Sequence, residues 1–272
     1  MVTPSKIALP VSILMPVCNE VDVIAGVVDE WLDDVFQFLP PHSELVFEDC
    51  SEDGTTQILQ QYAERYPFIR VHWHPKDGFF NAARRAYRHA RCPLLFFTDS
   101  DGQYIAREFW KLTPLIEHVD MAHGVKRNRC DPAYRLLASG CFNHLARRLT
   151  GIEGRDINSA FRLVHRRLVE ELLGAVHCMP TLLNAELYIR AKRAGYRIVD
   201  VDVSHRKRPH GASRGLPLGS FVASCRRAYQ GLRELRAELA TPIEQGNLDY
   251  PASARTALST REPVIGKLSC RS

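Results

Sequence analysis

Four short apolar runs alternate with helical patterns at the start of this chain, and that order most limits what it can fold into. Val11–Met15, Glu44–Glu48, Phe68–His72 and Pro93–Thr98 read as strands. Between them, Ile24, Val27, Val28, Trp31, Val35 and Phe38 mark a helix broken by Pro40–Pro41, and Thr55–Tyr66 and Gly78–Ala90 mark two more. Such alternation predicts an α/β fold with a mostly parallel central sheet, helices on both faces and right-handed crossovers. In these sheets ligands gather at the carboxyl ends of the strands, so the residues just past each run are the ones to weigh.

After Asp101 the rhythm loosens. Ala106–Val119 is expected as a helix, Met121–Val125 as a strand, and Tyr134–Thr150 as a helix ended by Gly151. Phe161–His165 is expected as a short strand on the same sheet, Arg167–Leu173 and Thr181–Ala194 as helices, and Ile198–Val203 as a last strand. Leu216–Leu239 reads as an amphipathic helix with Phe221, Cys225, Tyr229, Leu232 and Leu235 on one face. Residues 240–272 lose all periodicity and read as a flexible tail.

Charge and composition narrow the function classes. Net charge is +5, from 36 Lys+Arg against 31 Asp+Glu. Acidic residues bunch at 44–53 and 99–101, basic ones at 126–135, 147–167 and 205–214. That separation suits a site that binds phosphate and metal together, with solvated surface as the plain alternative for any single run. The basic residues lack an interleaved aromatic platform, which argues against nucleic acid. The 8 cysteines form no CxxC pair and follow no signal peptide, so most of them read as small buried thiols of a cytosolic protein. No run of eighteen apolar residues exists, so no membrane span is expected.

The sharpest chemical signal is Thr98-Asp99-Ser100-Asp101-Gly102-Gln103, directly after the most apolar strand. A turn there can bring both carboxylates to one hard cation, Mg²⁺ or Mn²⁺, which takes oxygen ligands. The plain alternative is a polar turn that caps the next helix. A second signal is Glu48-Asp49 at the end of strand two, where Asp49 either meets a base or ribose hydroxyl or belongs to an ordinary acidic turn. The first strand feeds Pro16-Val17-Cys18-Asn19-Glu20, with no glycine, and no GxxxxGK[ST] loop occurs. Dinucleotide and P-loop readings are therefore set aside.

Taken with Val11–Glu20, Glu48–Thr55, Asp156–Arg162 and His205–Ser213, these stretches resemble family 2 glycosyltransferases with the GT-A fold, in particular the dolichyl- and polyprenyl-phosphate sugar transferase branch. The resemblance runs from residue 11 to about 215. It implies a catalytic domain over 1–215, followed by the 216–239 helix and the 240–272 tail. It implies a UDP- or GDP-sugar donor, Mg²⁺ or Mn²⁺, and inversion at the anomeric carbon. Pro16, Asn19, Glu20 and Asp49 would line the nucleotide pocket, with Asp77, Gly78 and Ala82 as its floor. Asp99 would hold ribose or metal, Asp101 would be the principal metal ligand, and Gln103 would complete the shell. Three places depart from the family pattern: Glu48 stands where Asp is common, Cys50 where Gly is common, and Ser159-Ala160 where Gly or Cys is common.

The acceptor side follows from spacing. Arg135, Ser139 and Asn143 recur every four residues and should share a helix face. With Arg127, His205, Arg206, Arg208 and Ser213 they form a candidate enclosure for phosphate. A polyprenyl phosphate acceptor arrives already ionised, whereas a hydroxyl on a soluble metabolite or polysaccharide needs a base, for which Asp156 is the candidate. A noncatalytic sugar-nucleotide-binding domain is the alternative of another class. The 216–239 helix, with Arg226, Arg227, Arg233 and Arg236, is read as lying on the cytoplasmic face of an anionic bilayer, packing on its own domain, or meeting a second copy in a homodimer.

Overall fold

The computed structural model describes residues 3–127, 132–209 and 221–240. Its centre is a seven-stranded sheet in the order β3-β2-β1-β4-β6-β5-β7. The strands are β1 (Val11–Val17), β2 (Glu44–Asp49), β3 (Ile69–Trp73), β4 (Leu94–Phe97), β5 (Met121–Arg127), β6 (Arg162–His165) and β7 (Ile198–Ser204). The first four are parallel and joined by α1 (Ile24–Asp34), α2 (Thr55–Arg65) and α3 (Phe79–His89), as the alternation predicts. β6 runs antiparallel to both β4 and β5, and β5 pairs in parallel with β7. The sheet is thus mostly parallel, with one reversed strand in its middle.

This order creates a switch point. β1 is flanked by β2, reached through α1, and by β4, reached only after α2, β3 and α3. The crevice beyond the carboxyl ends of β1 and β4 is where sheets of this kind bind ligands. Packing behind it is aromatic. Phe96 of β4 lies 5.3 Å from Trp31 of α1, 5.0 Å from Phe109 and 4.7 Å from Phe161, by ring centroids. Offset and edge-on contacts of this kind bury large areas and fix the relative positions of the elements they join.

The helix expected over Ala106–Val119 is not formed. Two 3₁₀ turns, Ala106–Lys111 and Thr113–Leu115, take its place. Pro114 has no N–H for an α-helical bond, and its ring crowds the carbonyl one turn earlier. The later helices match expectation more closely: α4 (Ala133–Thr150), closed by Gly151 in the left-handed region, α5 (Arg166–Leu172) and α6 (Leu183–Arg193).

α7 (Phe221–Ala240) lies inside the expected 216–239 helix apart from its last residue, and 216–220 lie outside the described residues. The single apolar face expected of it splits in two. Gly231, Leu232 and Leu235 are buried, whereas Cys225 and Tyr229 are exposed. No helix among the described residues is long and apolar enough to cross a membrane. The tail reading from 241 onward falls outside the described residues.

Candidate active site

The turn after β4 carries the two carboxylates. Gly102 takes a φ of +71°, a conformation that costs little without a Cβ, and so folds the Asp99–Gln103 loop tightly. The Gln103 N–H donates to Asp101 Oδ1 at 3.0 Å, and Ser100 Oγ donates to the Pro16 carbonyl at 2.9 Å, pinning the loop to β1. Burial, followed by the charge of Asp101, pushes the Asp99 carboxyl up to about 7. Burial raises Asp101 as well, opposed by the Gln103 N–H and by the positive charges of Arg208 and Lys126. Two partly buried carboxyls that repel each other in one loop are groups that could take a hard divalent cation.

Around them, the sequence-derived residues divide. Glu20 is buried and ion-paired with Arg208, whose guanidinium also lies 3.6 Å from Asp101 Oδ2. Arg208 therefore links the β1 loop to the cation loop. Arg206 donates to the Gly102 carbonyl at 2.5 Å and pairs with Glu30 of α1, while its own N–H donates to the Gln103 carbonyl at 2.9 Å. It acts as a brace for the loop. His205 is buried edge-on against Tyr104 at 5.3 Å. The Gln103 side-chain N–H donates to the Arg206 carbonyl at 3.3 Å. Ser213 lies outside the described residues.

On the other side of β1, Asn19 adopts φ +58°. Its N–H donates to Ser51 Oγ at 2.7 Å, and its Oδ1 accepts from the Glu52 N–H at 2.8 Å. Asp49 is fully buried; its oxygens accept from the Ser51 N–H at 3.0 Å and from Thr56 Oγ1 at 2.5 Å. The acidic turn is thereby cross-linked into one rigid loop. A groove of about 350 Å³ opens beside it, lined by Ser51, Glu52, Gly54, Thr56 and Trp73 among others. Cys50, where the family pattern favours glycine, needs no left-handed backbone and packs its thiol on the Val17 carbonyl at 3.5 Å. Asp77 is held by both guanidinium nitrogens of Arg85, at 2.7 and 2.9 Å. Gly78 then turns at φ +96° into α3, where Ala82 is buried.

Sequence reasoning missed Lys126. It singled out the next residue, Arg127, but successive strand residues face opposite sides. Arg127 is paired with Asp202 of β7 at 2.5 Å, near the surface. Lys126 instead lies 3.7 Å from Asp156 Oδ2 and is close enough to Asp99 and Asp101 to lower both. The ring of Tyr104 sits under its ammonium at 5.8 Å. Alternation puts Lys126 on the side of Gly124 and Arg127 on the side of His123, but the sequence does not tell which side faces the carboxylates.

Asp156 is held at φ +45° in the loop before β6. Its carbonyl accepts from His123 Nε2–H at 3.1 Å and from the Ser159 N–H at 2.8 Å. Burial and then Arg162 hold the His123 imidazole well below its ordinary range, so it is a neutral donor. The wholly buried Arg162 donates to the carbonyls of Asn184 at 2.9 Å, of Ile157 at 3.4 Å and of Ser159. α4 reaches the same loop through Asn143, whose Oδ1 accepts from the Ile157 N–H at 3.2 Å. Asn143 also donates to the Ser139 carbonyl at 2.8 Å. Arg135, two turns earlier, stacks on Tyr134 and donates to its hydroxyl at 3.2 Å.

Comparison with known proteins fits this arrangement. The family model described as "Glycosyl transferase family 2" matches residues 12–173. The glycosyltransferase AglD of Haloferax volcanii is 30% identical over 206 residues, which are 71% of this chain and 32% of that protein. An undecaprenyl-phosphate 4-deoxy-4-formamido-L-arabinose transferase of Pseudomonas syringae pv. syringae is 28% identical over 76% of this chain and 61% of its own length. The chain therefore spans between a third and three fifths of these relatives. Among solved structures, mannosyl-3-phosphoglycerate synthase of Rubrobacter xylanophilus superposes with a TM-score of 0.64 at 18% identity, covering 90% of this chain and 80% of that one. Glucosyl-3-phosphoglycerate synthase of Mycobacterium tuberculosis, in complex with Mn²⁺ and UDP-glucose, gives 0.61 at 18% identity, covering 85% and 80%. At these identities the two structures speak for the GT-A fold.

Proposed function

Because the chain belongs to glycosyl transferase family 2, we propose that it moves a sugar from a nucleoside-diphosphate sugar to an acceptor, with inversion, at the site formed by Asp99, Asp101, Lys126 and Asp156. The observation that carries this reading is the paired carboxyls at the β1/β4 switch point, with Asp99 raised to about 7 by burial and by its neighbour. Asp99 and Asp101 would hold Mg²⁺ or Mn²⁺, which when bound neutralises charge on the leaving diphosphate. The Mn²⁺ and UDP-glucose in the mycobacterial structure support that donor set. Lys126 adds a fixed positive charge between the cation loop and Asp156, and the Asp49 loop frames the nucleoside side. Arg208 holds Glu20 and faces Asp101, so it restrains the mouth of the crevice.

For the acceptor, a hydroxyl on a soluble anionic metabolite is the better supported reading. Asp156 presents a carboxylate near the cation loop, where a hydroxyl nucleophile needs a base. Several GT-A structures similar to this chain are named as synthases of sugar phosphoglycerates, some of them in complex with phosphoglyceric acid. A polyprenyl phosphate is the second reading. It is favoured by the undecaprenyl-phosphate transferases among the relatives and by the exposed Val222, Arg226, Arg227 and Tyr229 on α7, which suit a peripheral contact with an anionic bilayer.

Mass spectrometry of products from a panel of UDP-, GDP- and dTDP-sugars, with Mg²⁺ or Mn²⁺, tests both readings. One arm offers phosphorylated hydroxy acids and the other a short polyprenyl phosphate. A glycosylated hydroxy acid supports the first reading, and a sugar-phosphate-lipid the second. Donor binding with no product from either arm would move the chain to a sugar-nucleotide-binding role.

A further inference from the structure

Behind the nucleotide side of the sheet lies a second cluster that the transfer chemistry does not use. Strand alternation turns Glu48 of β2 away from the Asp49 loop and toward α3. There it is fully buried among three imidazoles. His74, just past β3, places Nε2 at 2.8 Å from Glu48 Oε2. His89, in the last turn of α3, places Nδ1 at 2.6 Å from Oε1. His72, two residues before His74 and so on the same side of the strand, lies with its ring 4.2 Å from that of His89. One ligand atom each of Glu48, His72 and His89 falls within 4.8 Å of the others. His72 Nε2 is enclosed and has no hydrogen-bond partner.

An ordinary buried carboxylate needs hydrogen bonds, and His74 and His89 supply them. They do not account for the third imidazole, whose enclosed nitrogen faces no acceptor or donor; such a group is costly to bury unless something meets it. Neutral imidazole is the form that ligates metals, and His72 Nε2 is the enclosed nitrogen left without a hydrogen-bond partner. Imidazoles with one carboxylate suit Zn²⁺ and neighbouring first-row ions, not the hard all-oxygen shell of Mg²⁺. The positive charge of Arg85, 3.6 Å from Glu48, is already matched by Asp77.

We propose that Glu48, His72 and His89 form a metal site for Zn²⁺ or a similar borderline cation, with His74 orienting the Glu48 carboxylate, separate from the Asp99–Asp101 loop, and that the ion clamps β2, β3 and α3 together. The site holds its ion whether or not the transfer reading above is right.

The test uses the full, untagged chain, stripped with chelator, then given Zn²⁺ in a large excess of Mg²⁺ and passed through gel filtration. Elemental analysis should find one zinc per chain. His72→Gln and His89→Gln should each lower retention at least tenfold, while His177→Gln, in a separate His/Cys/Glu cluster among the described residues, should leave it unchanged. Co²⁺ in place of Zn²⁺ reads the ligand type on the unaltered chain, so the result does not depend on a variant folding. Visible bands of a nitrogen–oxygen site are expected, without the charge-transfer band of a thiolate. No retained zinc in the wild type, retention unchanged in both histidine variants, loss in His177→Gln instead, or a thiolate band would each overturn the proposal.

Discussion

The two sides of the sheet are built differently. In the first half, β1 to β4 and their helices close on one another. α1 alone buries Ile24, Val27, Val28 and Trp31, and the Asp49 loop meets its own polar needs. In the second half, α4 buries only Ala146 among its described side chains and leaves Leu136 and Leu137 exposed, and α7 is packed over part of its length. Some of the charges there pair near the surface, as in Arg127–Asp202 and Arg155–Asp202, although Arg190–Glu186 is buried. Such exposed pairs contribute little to stability. The first half is a rigid frame on which a donor can be fixed. The second half carries surface that can change without unfolding the frame, as acceptor specificity requires.

Four measurements can break or sharpen that contrast. Asp156→Asn should reduce kcat by about 10²–10⁴-fold, the range of a lost general base, with donor affinity intact. Near-normal turnover would remove Asp156 from the chemistry and favour an acceptor that arrives ionised. Asp101→Ala should lower turnover by roughly 10²–10³-fold, the size of a lost electrostatic contact in the transition state, and abolish the response to Mn²⁺. A retained metal response would move the cation elsewhere. Lys126→Met should cost about 10–100-fold in kcat/KM, as for a charge-assisted contact, while Arg127→Met stays within a few-fold of wild type. Equal losses would mean that the two faces of β5 are not distinguished in function.

The smallest effect concerns pH. With Asp99 near 7 in the metal-free protein, the folded chain keeps a proton that the unfolded chain has already released. Metal-free stability should therefore fall as pH rises from about 4 toward 7. A divalent cation binds the ionised pair and offsets that loss, so Mg²⁺ should raise Tm by more at pH 8 than at pH 6. Equal shifts at both values would show that Asp99 is not held in this way.

How much of this was legible in the sequence follows the same division. Each of the first four strands could be read, because apolar runs broken by helical spacing are a local signal. The Asp99–Asp101 pair could be read because it ends such a run. Lys126 and Arg127 are adjacent and both basic, and only the register of β5 against β7 tells which one turns inward. Arg206 and Arg208 looked alike as phosphate ligands; their contacts with Glu30, Gly102 and Glu20 join residues more than a hundred positions apart. Glu48 and the histidines around it are spread over β2, the end of β3 and α3 and form no motif until the sheet aligns them.

Arg162 bears on how the Asp156 loop behaves in time. A planar guanidinium sealed in the interior gathers the carbonyls of Ile157, Ser159 and Asn184, and the neutral His123 grips Asp156 itself. The left-handed backbone of Asp156 costs on the order of 1–3 kcal/mol, which this scaffold has to offset when the chain folds. The backbone of the loop is thus held in place in the folded protein, and in the transfer proposed above little of it would have to reorganise at the moment of reaction. A lysine in place of Arg162 would keep the charge but lack the fork, and the loop would have to find its shape anew at every turnover.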